Sequence, residues 1–106
     1  MNTVTINLGG KEFRAAKFTI GQFSHVTTVL DEIQVAGGNG DLVETNRLIL
    51  ILAEIICASI CRAGSEIKID EIQQIAEVQD IYGAMEILMR VEMPANLLAA
   101  GNKKIN

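Results

Sequence analysis

The chain opens with a strict alternation of apolar and polar residues, which is typical of a strand with one buried face. This alternation covers residues 3–8, and a second extended segment follows at 11–16. Gly9 and Gly10 lie between the two segments and tolerate the positive φ angles of a two-residue hairpin turn. The sequence therefore predicts a β-hairpin over residues 3–17. The expected register pairs Leu8 with Lys11, Ile6 with Phe13 and Val4 with Ala15, so that one face holds Val4, Ile6, Leu8, Phe13 and Ala15.

An amphipathic helix is predicted over residues 20–36, after the hairpin. Thr19 and Gln22 form a capping box at its start, in which each side chain accepts a hydrogen bond from the backbone N–H of the other residue. A glycine-rich segment at 37–40 is expected to end the helix and to form a flexible loop. Apolar side chains at three- and four-residue spacing give the helix one buried stripe: Phe23, Val26, Leu30 and Ile33.

A second helix is predicted over residues 42–62, and it is apolar around most of its circumference. A helix of this kind is usually buried on several sides. Either the other helices surround it or a second chain helps to cover it, and self-association is expected on this ground. Its charged residues fall on one narrow stripe: Glu44, Arg47, Glu54 and Arg62.

Two shorter helices are predicted at about residues 70–78 and 80–92, with a short break between them. Asp70 is expected to cap the first of them and Asp80 the second, because carboxylates accept hydrogen bonds from the free N–H groups at helix starts. Gly83 weakens the last helix, which suggests close packing against a neighbour. The residues expected to face inward are Ile72, Ile75, Ala76, Ile81, Met85 and Leu88.

This order of elements predicts an α+β fold: an N-terminal β-hairpin followed by a mainly α-helical bundle of three to four helices. A length of 106 residues suits one domain, which is predicted at residues 1–92. Pro94 ends the helical pattern, and residues 93–106 are expected to form a short turn and a flexible tail.

Composition and charge narrow the range of partners. The chain is 49% hydrophobic and 21% charged, its net charge is −4, and it has no cluster of basic residues. Nucleic-acid binding usually needs such a cluster, so no nucleic acid is expected as a partner. The most apolar stretch, 42–61, contains charged residues and is too polar for a membrane span, and no signal peptide precedes the first strand. The two cysteines fit a reducing compartment, so a cytoplasmic protein is expected.

Side chains that could carry chemistry are few. Cys57 and Cys61 share a helix face, but no second pair completes a zinc site, so small buried thiols are favoured over a metal site or a redox pair. His25 is the single histidine, and it is expected at the surface without a paired nucleophile. The segment at 37–40 follows a helix and lacks the Gly-Lys-Ser/Thr ending of a phosphate-binding loop. No catalytic site, cofactor or metal is therefore expected, and the protein is predicted not to be an enzyme.

Three segments, in their order and spacing, resemble the tail assembly chaperones of tailed bacteriophages. The first is the hairpin Thr-Ile-Asn-Leu-Gly-Gly-Lys-Glu-Phe at 5–13, which leads into the helix start at Thr19. The second is Ile-Ile-Cys-Ala-Ser-Ile-Cys-Arg at 55–62, and the third is Lys-Ile-Asp-Glu-Ile-Gln-Gln-Ile at 68–75, before a final helix. The glycine-rich loop at 37–40 and the very apolar middle helix depart from the usual pattern of the family.

The resemblance implies a protein-binding function in the host bacterial cytoplasm. Chaperones of this family bind the long, helical tape measure protein, keep it soluble, bring tail tube protein to it and leave before the mature virion forms. Many also occur in a longer, frameshifted form, and Lys103-Lys104 is compatible with a slippery adenine run. The partners that the resemblance implies are the tape measure protein and the tail tube protein, and the apolar second helix adds the expectation of a homo-oligomer.

The apolar helices at 20–36 and 42–62 are predicted to form the binding surface, with the acidic region 66–92 as its polar rim. Two other functions stay open: a small structural tail or head-tail connector component of the virion, and a small dimeric bacterial adaptor protein. The residues predicted to bind protein are Phe23, Leu30, Leu50, Ile56 and Ile60.

Overall fold

The computed structural model describes residues 2–90 and has an α+β fold, as predicted. Helices hold 66% of the described residues and strands hold 13%. Three predictions fall outside the described part: residues 91–92 of the last helix, the tail at 93–106 and the lysine pair within that tail. The elements are β1 (Thr3–Leu8), β2 (Lys11–Ala16), α1 (Ile20–Gly38), α2 (Leu42–Arg62), α3 (Ile69–Ile75) and α4 (Val78–Met89).

The N-terminal hairpin forms in the predicted register. Ile6 pairs with Phe13, and the two strands are antiparallel. The turn glycines have φ angles of 62° at Gly9 and 81° at Gly10, which are conformations that other residues rarely adopt. Strand β1 packs on α4 and strand β2 packs on α2, so the hairpin lies flat on the helices. The residues of its inner face that are fully buried are Ile6, Leu8 and Ala15.

The first helix begins where the sequence predicts and ends later. Thr19 and Gln22 form both hydrogen bonds of the capping box, each 3.1 Å long. The predicted loop at 37–40 is wrong in its first half, because α1 continues through Gly38. Asn39 caps the helix, and Gly40 after it has a φ of 71°, which lets the chain reverse. Two hydrogen bonds close this end, since the N–H groups of Gly40 and Asp41 donate to carbonyl oxygens in the last turn of α1.

The second helix spans Leu42–Arg62, as predicted, and is the centre of the fold. It contacts α1, β2, α3 and α4, so the chain itself covers most of its apolar surface. A second chain is therefore not needed to cover most of α2, and self-association stays a prediction. The buried polar group Ser59 is satisfied, because the Gln22 amide donates to its hydroxyl over 3.2 Å. The buried residues of α2 are Leu48, Leu52, Ala53, Ile55, Ile56, Ser59 and Ile60.

The third helix is shorter than predicted and begins without a side-chain cap. It ends at Ile75 rather than residue 78, because Ala76 is extended, with a ψ of 135°. Lys68, not Asp70, occupies the N-cap position, and no side chain there accepts a hydrogen bond. Ile72 is fully buried as expected, whereas Ile75 is 37% exposed and does not belong to the core.

The fourth helix begins earlier than predicted, at Val78, with Glu77 at the N-cap. Asp80 still serves the helix start, but from the third helical position: its carboxylate accepts the backbone N–H of Glu77 over 2.9 Å. The predicted cap is thus displaced by three residues along the chain. The inward-facing residues are confirmed as buried: Ile81, Met85 and Leu88.

The prediction that Gly83 packs closely against a neighbour is wrong, because no other element of the described chain covers it. A Cβ atom added at Gly83 would meet no other atom within 4 Å, so the position faces open space on α4. A helix interior with a free Gly loses backbone entropy on folding without gaining a contact.

Gly83→Ala should therefore stabilise the protein by about 1 kcal/mol, as is usual for this change in an exposed helix interior. Urea unfolding followed by circular dichroism measures the gain. Gly64→Ala is the matched control, because Gly64 also faces open space but has a φ of 103°, so its substitution should lower the free energy of unfolding. A loss of stability at Gly83 would contradict its placement on an uncovered helix face.

Candidate functional site

The five residues predicted to bind protein fall into two groups. Ile56 and Ile60 are 0% exposed and pack in the core, so their predicted place on a binding surface has to be corrected. Both lie on the side of α2 that the rest of the chain covers. Phe23, Leu30 and Leu50 are half-buried and keep an accessible edge. Only Leu50 among them lines a groove formed by α2 and the α3–α4 junction, and a binding role for any of the three stays a prediction.

This groove, called here the α2 groove, runs between the first half of α2 and the segment that joins α3 to α4. It encloses about 220 Å³, which is below the usual range for drug-sized ligands of roughly 300–1,000 Å³. The volume suits a few apolar side chains from a partner better than a cofactor. The α2 wall consists of Asn46, Ile49, Leu50 and Ala53, and the opposite wall consists of Ile72, Gln73, Ala76, Glu77, Val78 and Ile81.

The floor of the α2 groove is aliphatic and its polar groups stand at the rim. Ala53 and Ile81 are each 4% exposed and Ile72 is 0% exposed, so together they form a closed hydrophobic base. Val78 at the edge is 49% exposed. Glu77 is the single ionisable residue in the lining, which offers no second group for acid–base or metal chemistry. The arrangement can bury apolar side chains and discriminate them by shape.

Two exposed apolar residues lie at the start of α2, one turn before the exposed polar residues Asn46 and Arg47. Leu42 is 81% exposed and Val43 is 83% exposed, although both are large hydrophobic residues. Leu42, Ile49 and Ala53 follow one another at spacings that place them on one side of a helix. From Leu42 to Ala53 this side is about 16 Å long at 1.5 Å per residue. Leu42 and Val43 were not singled out from the sequence.

Charge around the α2 groove is mainly negative. The guanidinium of Arg47 donates to Glu44 over 3.0 Å, and this hydrogen bond lowers the pKa of Glu44 and raises the pKa of Arg47. The positive charge of Arg47 is thereby compensated by its neighbour. Glu54, one turn after Leu50, and Glu77 in the lining add two further negative charges. A partner with basic residues beside its apolar ones would be attracted to this rim.

The α3–α4 wall of the groove is tied to the turn of the hairpin. The backbone N–H of Gly9 donates to the Asp80 carboxylate over 3.0 Å, and the same oxygen accepts the N–H of Glu77. These two hydrogen bonds lower the pKa of Asp80. Because Gly9 also lies directly against the carbonyl of Ile75, the turn is wedged into the junction that forms the groove. The hairpin therefore positions one wall of the site.

The hydrogen bonds of Asp80 predict how stability depends on pH. The pKa of Asp80 is depressed in the folded state, so its contribution is present above the unfolded pKa of about 3.9 and is lost as pH falls through the folded value. Asp80→Asn should be less stable than the wild type at neutral pH, and the difference should close as pH falls below the unfolded pKa and through the lower folded one. Urea unfolding across this range gives the comparison. A difference that stays constant with pH would show that the charge of Asp80 does not matter.

The two cysteines form a separate cluster at the end of α2. The thiols of Cys57 and Cys61 both donate to the carbonyl oxygen of Ile67, over 3.5 and 3.4 Å. Burial raises the pKa of Cys57, which favours the unreactive thiol form at neutral pH. No group of three or more metal-ligating side chains occurs within residues 2–90. The thiols thus hold the link before α3 against α2, but they are not the buried thiols expected, since Cys57 is half-buried and Cys61 is exposed. His25 is exposed as expected.

Comparison of the chain with protein-family models, with curated proteins and with solved structures gives no match. Within residues 2–90, no helix combines the length and the hydropathy that crossing a membrane requires.

Proposed function

We propose that this protein is a tail assembly chaperone of a tailed bacteriophage or prophage, which binds the tape measure protein in the host bacterial cytoplasm. The observation that supports the proposal is the α2 groove, with its aliphatic floor and half-buried Leu50, together with exposed Leu42 and Val43 at the start of the same helix. An exposed apolar surface rimmed by polar residues is typical of a site for another protein. The sequence resemblance supplies the identity of the partner.

The proposed mode of binding is an amphipathic helix laid along α2. A helix of the partner presents apolar side chains at three- and four-residue spacing, and these enter the groove beside Leu50 and extend toward Leu42. The apolar side of α2 is about 16 Å long, which matches about three turns of a partner helix at 5.4 Å per turn. Burying these partner side chains removes the surface through which a long, isolated helix would aggregate. Basic residues of the partner face Glu54 and Glu77.

The tail tube protein is the second partner in this proposal, brought to the tape measure protein while the chaperone is bound. The chaperone then leaves and is absent from the mature virion. Neither step uses a catalytic group or a cofactor in this account. A homo-oligomer remains part of the proposal, and light scattering over a range of concentrations checks it.

Co-expression with the tape measure protein of the same genome tests the proposed function. The tape measure protein should stay soluble and co-purify with this chain. Purified particles should contain none of this chain. If the tape measure protein aggregates equally with and without this chain, the proposal fails. Stoichiometric presence in particles would instead favour a structural tail or connector component, and a stable dimer with a host partner would favour an adaptor.

A further inference from the structure

A second apolar surface lies at the start of α1, away from the α2 groove. It is formed by Phe18, Ile20 and Phe23, called here the aromatic cleft. Ile20 is 89% exposed, the highest value among the large hydrophobic residues of the described part, and both phenylalanines are half-buried. The amide of Gln22 anchors this end of α1 to Ser59 of α2, about 20 Å along α2 from the groove residue Asn46. A partner in the α2 groove therefore leaves the aromatic cleft uncovered.

The described chain ends in a second depression, which shares Phe18 and Phe23 with the aromatic cleft. Leu88, Met89 and Arg90 line one continuous depression with Phe18 and Phe23. The ammonium group of Lys17 donates to the carbonyl oxygen of Arg90 over 3.5 Å. Arg90 has left the helical conformation, with φ of −62° and ψ of 124°, so α4 stops beside this depression. Whatever follows Arg90 begins next to exposed apolar surface.

The residues that follow have the composition of a segment that covers such a surface. Residues 91–98 read Val-Glu-Met-Pro-Ala-Asn-Leu-Leu, and residues 101–106 are mostly polar. At about 3.3–3.6 Å per residue, an extended chain from Arg90 reaches roughly 25 Å by Leu97. The apolar part of the segment can therefore cover the whole cleft while the polar end stays in water.

We propose that residues 91–98 occupy the aromatic cleft of their own chain, with Leu97 and Leu98 packed over Ile20 and Phe23. A tether of a few residues gives the segment an effective concentration in the mM range at the cleft. A second copy of the chain at ordinary concentrations cannot match that value. Phe23 is then shielded until the segment is displaced, and any protein that uses this surface has to compete with it. The proposal is independent of the function assigned to the α2 groove.

Photo-crosslinking in the full chain tests whether residues 91–98 occupy the aromatic cleft. Ile20 is replaced by the photoreactive residue p-benzoylphenylalanine, which its exposed position accommodates, and the crosslinked peptides are mapped by mass spectrometry. The expected products join position 20 to residues 91–98 of the same chain. The double substitution Leu97→Asp/Leu98→Asp should lower their yield about tenfold or more, because it removes two buried leucines. Asn102→Asp, in the polar end, is the matched control and should leave the yield unchanged.

Three results would overturn the proposal. Crosslinks spread over the chain without concentration in 91–98 would show that the segment does not occupy the cleft. A yield unaffected by the leucine substitutions would show that its apolar side chains do not hold it there. Mixing unlabelled and ¹⁵N-labelled protein before irradiation would reveal a segment donated by a second copy, through hybrid pairs of labelled and unlabelled peptides. Circular dichroism of each variant verifies that the fold is kept.

Discussion

Replacing Ile56 with Asp should leave the protein unfolded at neutral pH. Ile56 is 0% exposed on the covered side of α2, the helix that contacts every other helix and strand β2. A carboxylate there would lose its hydration without gaining a partner, which costs several kcal/mol in addition to the lost apolar burial. Small domains have a total free energy of unfolding of only about 5–15 kcal/mol. Far-UV and near-UV circular dichroism should show loss of both helical signal and fixed tertiary packing.

Two matched variants show whether the burial of residue 56 causes the expected unfolding of Ile56→Asp. Ile56→Val keeps the site apolar and should cost about 1 kcal/mol, leaving the fold intact. Leu50→Asp introduces the same charge on the same helix at a half-buried position, where the carboxylate keeps contact with water. That variant should fold. A native-like spectrum for Ile56→Asp would contradict the assignment of this residue to the core.

Gly9→Ala should destabilise the protein more than Gly10→Ala. Both glycines have positive φ angles, so each alanine costs about 1 kcal/mol in backbone strain. At Gly9 the added Cβ would also overlap the carbonyl oxygen of Ile75, whereas at Gly10 it would meet nothing within 4 Å. The overlap is with backbone, which cannot rotate away, so the hairpin turn has to shift. An additional loss of roughly 1–3 kcal/mol is expected, as for overpacked sites.

The difference between these two glycine variants isolates the contact between the hairpin and the α3–α4 junction. Urea unfolding of both proteins measures it, and hydrogen exchange at the backbone N–H of Gly9 reports whether its hydrogen bond to Asp80 survives. Equal losses of stability for the two variants would contradict the wedged position of Gly9.

The parts of the fold that the sequence predicts correctly depend on short-range chemistry. The hairpin register follows from two adjacent glycines and a period of two, and the start of α1 follows from the reciprocal hydrogen bonds of Thr19 and Gln22. The end of a helix is harder to predict where several neighbouring residues could each terminate it. Gly37, Gly38 and Gly40 are all permissive, and only the packed structure selects Gly40 as the residue with positive φ.

The candidate site depends on contacts that are distant in sequence, and its residues are only partly predictable. The residues of α2 are apolar on nearly every side, so periodicity does not tell which of them the other elements cover. Leu50 and Ile56 therefore look alike in the sequence, although one lines a groove and the other is core. The opposite wall is placed by Gly9 and Asp80, which are 71 residues apart. The long-range hydrogen bond between these two residues leaves no pattern in a single sequence.

The central claim is that the α2 groove holds the partner, and one co-purification experiment tests it most directly. The tape measure protein is co-expressed with the wild type, with Leu50→Asp and with Ala58→Asp, which places the same charge at an exposed position of the same helix outside the groove lining. Leu50→Asp should fold but capture the partner about tenfold less, since the charge enters an apolar contact. Ala58→Asp should capture as much as the wild type. Full capture by well-folded Leu50→Asp would contradict the claim.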